Sequence, residues 1–151
     1  MKKLLAEETN QDETGILLLS HGPLSIAAMK TAQMLFGVTS TIGAIALEEE
    51  DGPAEYTAEI EKVLSVFPED TLLIVDIYGG TPFRCVMNIA QHKDNIQCIA
   101  GLNLAMLISA LNYRDIYSGN ELIEKVISES KEAIVDVGSM IHEIKAEMNA
   151  E

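Results

Sequence analysis

From Gly15 onward the sequence alternates between short unbroken apolar runs and stretches of helical periodicity, and it does so four times. The runs are residues 16–19 (ILLL), 41–47, 71–77 (TLLIVDI) and 95–102. A run without polar alternation marks a strand buried on both faces. Strand followed by helix, repeated in this way, predicts an α/β chain. Its sheet is open, mainly parallel and doubly wound, with helices on both faces.

The helical stretches carry their own punctuation. In the first, Leu24, Ala28, Ala32, Leu35 and Phe36 share a face, with Pro23 at the first helical position and Gly37 past the end. Gly52-Pro53 opens the second, where Tyr56, Ile60, Val63, Leu64 and Phe67 fall in register. Thr81 is the expected N-cap of the third and Pro82 its first residue, with Phe83, Val86, Met87 and Ala90 facing in. Asn103 is expected to cap the fourth, with Leu104, Leu107, Ile108 and Leu111 inward. A further helix starts near Ser118, where Glu121 gives a capping-box spacing, and carries Leu122, Ile123, Val126 and Ile127. Residues 133–137 read either as its continuation or as a short edge strand, and residues 140–151 as a polar helix. Residues 1–15, acidic after Leu5, read as a flexible leader, leaving 16–151 as a single domain.

A chain of 151 residues has room for one real core. It has no Trp and few other aromatics, so Leu, Ile, Val, Ala and Met must fill that core. The formal net charge of −14 argues against nucleic acid and anionic membrane surfaces as partners. Cys85 and Cys98 form no C-x-x-C and read as buried free thiols. No segment is long and apolar enough to span a bilayer, and the first residues make no signal peptide, so a cytoplasmic protein is expected.

Ligands of an open α/β sheet bind outside the carboxyl ends of its strands. His21 ends the first strand and Asp76 lies near the end of the third. Each precedes a glycine-containing turn and a proline-started helix. Neighbouring parallel strands would bring the two to one edge. There the Asp carboxylate can take the proton of one ring nitrogen and leave the other as a nucleophile. The nearby helix N-termini offer N–H groups to an anion. Nucleophilic imidazole beside an anion cradle points to phosphoryl transfer through a phosphohistidine. The bland alternatives are a hydrogen-bonded core histidine, a turn-capping Asp76, and Gly79-Gly80-Thr81 serving only the backbone path. Nucleotide-binding glycine motifs and the G-x-S-x-G elbow are absent, so no cofactor is expected. His21, His92 and His142 lack metal-ligand spacing, and the last two read as surface residues.

Three stretches together resemble the mannose-class (mannose/fructose/sorbose) IIA component of the bacterial sugar phosphotransferase system. They are Ser20-His21-Gly22, residues 75–83 (VDIYGGTPF) and residues 100–107 (AGLNLAML). The resemblance runs from about Gly15 to the last helix. It implies that His21 takes a phosphoryl group on Nε2 from the phosphocarrier HPr and hands it to a IIB component. IIB then phosphorylates sugar entering through membrane IIC and IID proteins. It further implies that Asp76 holds the Nδ1 proton and that Gly22, Gly79, Gly80 and Thr81 receive the phosphate. Residues 133–137 become an edge strand exchanged within a homodimer. Ala105 departs from the proline usual before Met106. The chain stops where some relatives continue into a fused IIB domain, so a separate IIB is expected.

Three rivals remain open at this point. A histidine phosphatase also ends a first strand in His-Gly, but needs an arginine where this chain has Ser20. A phosphorylation-sensing module of transcription regulators and the phosphotransfer subunit of dihydroxyacetone kinase share the domain type. The identity of the sugar is not readable from a component that never touches it.

Overall fold

A computed structural model describes residues 1–151. Five strands form one sheet: β1 (Lys2–Leu5), β2 (Gly15–His21), β3 (Ile42–Leu47), β4 (Thr71–Val75) and β5 (Gln97–Ala100). Their order is β1-β3-β2-β4-β5, with β2 to β5 mutually parallel and β1 antiparallel to β3. Six helices complete the chain: α1 (Leu24–Phe36), α2 (Pro53–Leu64), α3 (Thr81–Ala90), α4 (Leu104–Tyr113), α5 (Gly119–Glu132) and α6 (Val137–Ala150).

The period-two geometry of the strands divides their apolar runs between two cores. Ile16, Leu18, Ile42, Ala44, Leu72, Ile74 and Ile99 meet side chains of α1, α4 and α5, including Met29, Leu107 and Val126. Leu17, Leu19, Ile45, Leu73 and Val75 meet Tyr56, Ile60, Val63 and Phe67 on one flank and Cys85, Val86 and Ile89 of α3 on the other. The predicted doubly wound sheet is therefore the observed one. From β2 the chain steps to β3 on one side, and from β3 it crosses to β4 on the other. The topological switch point lies between β2 and β4.

Several expectations need correction. The leader is part of the sheet: Lys2 to Leu5 pair with Ala46 to Gly43. Leu4 packs on one core and Leu5 on the other, and Gly43 makes room for Leu5, whose Cδ2 would lie 2.7 Å from a Cβ there. Glu13 is tied to buried Arg114 at 3.4 Å, and the Arg114 guanidinium also donates to the Ser40 carbonyl at 3.0 Å. The acidic composition of residues 6–13 concealed a strand only four residues long.

The inward face of α1 matches the expectation at Ala28 and Ala32 but differs elsewhere. Ser25, Met29 and Ala32 are buried, whereas Leu24, Leu35 and Phe36 are exposed. This helix is apolar on several sides, so periodicity alone could not choose the face. On α3 the buried set is Pro82, Cys85, Val86 and Ile89, with Met87 and Ala90 outside. Asn103 does cap α4, its Oδ1 accepting the Met106 N–H at 2.9 Å. Ser118 precedes α5 without a side-chain cap bond. Residues 134–136 form no strand within this chain, and α6 buries none of its residues.

Candidate functional site

The parallel register of β2 and β4 brings Leu19 opposite Val75, and the Asp76 N–H extends the ladder onto the Leu19 carbonyl at 3.0 Å. Asp76 thereby lies beside the last turn of β2. Its Oδ2 accepts both the His21 backbone N–H and the His21 ring nitrogen Nδ1, each at 2.8 Å. Its Oδ1 accepts the Ile77 N–H, also at 2.8 Å. The Asp76 side chain is 8% exposed and that of His21 44%. One carboxylate thus holds the histidine by main chain and ring together, while most of the carboxylate is shielded from water.

An ionised carboxylate can only accept, so Nδ1 is the protonated nitrogen. Nε2 then carries the lone pair, and it has no hydrogen-bond partner within the chain. The imidazole borders an open cavity of about 710 Å³ at the sheet edge, lined also by Gly22, Thr81, Leu47, Pro53 and residues 48–51.

The glycines divide their work. Gly22 has φ +56°, a left-handed conformation that turns the chain sharply after the histidine. Its N–H donates to the Leu47 carbonyl at 2.7 Å. Gly80 has an ordinary φ, but a Cβ there would lie 2.6 Å from His21 Cε1. It is glycine because the ring packs against it. Neither Gly79 nor Gly80 lines the cavity, whereas Gly22 and Thr81 do. Thr81 is the first residue of α3 rather than its cap, and Gly80 takes the cap position. The Thr81 hydroxyl is therefore not committed to the helix.

Two features of the site escaped sequence reading. The loop Glu48-Glu49-Glu50-Asp51 reads as a solvated charge run but forms one wall of the cavity. Its position directly after a parallel strand was the available signal. Hydrogen bonds from the Met1 ammonium hold the carboxyls of Glu48 and Asp51 below their usual range. Tyr56, fully buried beneath the site, has its phenol pushed up by burial, so it stays a neutral donor to the Ile45 carbonyl at 2.7 Å. His92 and His142 lie outside the site; His92 pairs with Glu61 at 2.6 Å on the surface. No group of three or more His, Cys, Asp or Glu side chains is arranged to hold a metal ion. No helix is long and apolar enough to cross a membrane.

Fold and site together define an α/β protein with a carboxylate-oriented histidine at the switch point of a doubly wound sheet. Residues 15–127 match the family model EIIA-man, described as the fructose IIA component of the phosphotransferase system (PTS). The chain belongs to this mannose-class IIA family. It is 23% identical over 132 residues to the PTS system fructose-specific EIIA component of Bacillus subtilis, covering 86% of this chain and 90% of that protein. It is 29% identical over 124 residues to the PTS system mannose-specific EIIAB component of Escherichia coli, covering 79% of this chain but 38% of that longer protein. Its fold matches the crystal structure of phosphotransferase system component EIIA from Streptococcus agalactiae, with a TM-score of 0.78 and 24% identity, covering 83% of this chain and 98% of that one.

Proposed function

We propose that this chain is a cytoplasmic phosphocarrier that accepts a phosphoryl group from HPr on His21 and passes it to a IIB component. The observation that carries this reading is the Nδ1–Asp76 hydrogen bond at 2.8 Å together with an unpartnered Nε2. The Nε2 lone pair forms a bond to phosphorus while the bond from phosphorus to the donor breaks. Nδ1 keeps its proton, and Asp76 offsets the positive charge that develops on the ring. The second transfer runs the same step in reverse, with IIB as acceptor. The Thr81 hydroxyl and the backbone at Gly22 border the space where the phosphoryl oxygens would lie. Gly79 and Gly80 act instead by shaping the turn and admitting the ring. Sugar uptake through membrane IIC and IID proteins is served indirectly.

The same reading makes the chain a homodimer, with residues 133–137 exchanged as an edge strand, for which the partner's β5 offers a free edge. Ile134 and Val135 are 84% and 49% exposed, and β5 pairs with β4 alone. A histidine phosphatase fits less well: no Lys or Arg side chain lines the cavity, and the Ser20 hydroxyl faces the interior.

The test is transfer of labelled phosphate from enzyme I and HPr. Acid-labile label is expected on His21, lost in His21→Ala, and passed on to a IIB component. Label that survives His21→Ala ends this reading. Label from HPr that no IIB accepts would favour the regulatory module instead.

A further inference from the structure

The apolar run of β2 ends in a polar residue that is as deeply buried as the leucines before it. Ser20 is 0% exposed. It lies opposite Ala46 of β3, and by strand alternation its side chain shares the face of Ile16 and Leu18. A hydroxyl in such a place is tolerated only when it is hydrogen-bonded. Ser20 Oγ donates to the Gly22 carbonyl at 3.0 Å and accepts the Ser25 N–H at 2.8 Å. Ser25 is the second residue of α1, whose cap position is held by Pro23 without any side-chain cap bond. Ser20 therefore does from five residues upstream what an N-cap side chain does from next door. Ser25's own hydroxyl is buried and unpartnered, so the Ser25 N–H has no second acceptor from its own side chain.

His21 lies between Ser20 and Gly22, so the hydroxyl's bond to the Gly22 carbonyl spans it. Its backbone N–H and its ring share one Asp76 oxygen. The next residue, Gly22, turns the chain in a left-handed conformation. Leu47 pins the turn from one side through the Gly22 N–H, and Ser20 pins it from the other through the Gly22 carbonyl.

We infer that Ser20 is a positioning residue for phosphoryl transfer: its buried hydroxyl locks the His21-Gly22 turn to the start of α1 and so sets the aim of Nε2. This rests on the proposed phosphorylation of His21.

The test compares phosphoryl transfer from phospho-HPr to the full chain, to Ser20→Ala and to Ser20→Thr, each corrected for folded fraction. Ser20→Ala is expected to lower kcat about tenfold with the KM for HPr unchanged, because small misplacements of a reacting group cost rate rather than binding. Ser20→Thr, which keeps the hydroxyl, is expected to recover to within about twofold on the same grounds. A wild-type kcat in Ser20→Ala, or a Ser20→Thr as slow as Ser20→Ala, overturns the inference. Hydrogen exchange on the unmodified chain gives a second reading that needs no variant. The Ser25 amide should be strongly protected, and exchange at the rate of a free peptide amide overturns the inference. A wild-type chain that takes no label from phospho-HPr defeats the proposed function instead. Failure of the Ser20 inference leaves wild type and Ser20→Ala labelling at one rate.

Discussion

The histidine end of the sheet and the C-terminal segment handle their exposed groups in opposite ways. Around His21 every group that sets the ring is satisfied within the chain: Asp76 holds it, Gly80 admits it, and Gly22 and Ser20 hold the turn. In residues 134–150 the apolar side chains of Ile134, Val137, Met140, Ile141, Ile144 and Met148 are all exposed, and α6 buries nothing. The first region is complete in one copy. The second has an apolar stripe at helical spacing and no partner within its own chain. The histidine site and the exposed apolar stripe are therefore separate regions of this molecule.

That separation can be broken most decisively at His21. His21→Ala should abolish labelling from phospho-HPr while lowering unfolding stability by only about 1–2 kcal/mol, since Asp76 loses the ring donor but keeps the residue 21 backbone N–H. Phosphate transfer and thermal denaturation on the same sample check both halves. Asp76→Ala comes next. Transfer should slow about 100-fold through loss of ring orientation, and stability should fall by about 1–3 kcal/mol because the His21 and Ile77 N–H groups lose their acceptor. A variant that loses stability but keeps its transfer rate would leave Asp76 as a turn residue only.

Gly80→Ala probes the same region more gently. The new methyl would meet His21 Cε1 at 2.6 Å, so the ring must move. A loss of rate of about tenfold is expected, larger than any change in melting temperature would explain. Ile141→Asp sharpens the other side of the comparison. It should convert a dimer to a monomer in light scattering and leave the unfolding of the protomer within about 0.5 kcal/mol, because the residue is exposed in a single copy. A monomeric wild type would end the assembly reading and leave the site untouched.

The smallest effect is a pH effect at Cys98. Burial pushes its thiol up from 9.0 to about 11. The folded state disfavours the thiolate, so this contribution to stability is present below pH 9 and is lost as pH rises through about 11. Alkylation of the native chain should accordingly be slow near neutrality and accelerate towards pH 11, with Ile141→Asp reacting faster if the β5 edge is covered in a dimer.

Much of this was legible in the chain because it is encoded locally. Four apolar runs separated by capped helices define a parallel sheet, and the rule for its carboxyl edge brings His21 and Asp76 together. The inward stripe of α2 was readable because its other face is polar. The stripe of α1 was not, because leucine, methionine and phenylalanine surround the helix and only the shape of β2 and β3 selects Ser25, Met29 and Ala32.

What the sequence determined by itself is the order of elements, the two-faced burial of the strands, and the placing of one histidine and one aspartate at strand ends. These follow from hydrophobic period and from proline and glycine punctuation, which act over a few residues. The tertiary structure decided the rest. It enrolled Lys2–Leu5 as an edge strand, put Glu48 to Asp51 at the wall of the cavity, and made Gly80 a matter of space rather than of backbone freedom. It also turned Ser20 into a bridge between a strand end and a helix start. Each of these depends on residues far apart in the chain meeting at a few ångströms, and no local pattern carries that distance.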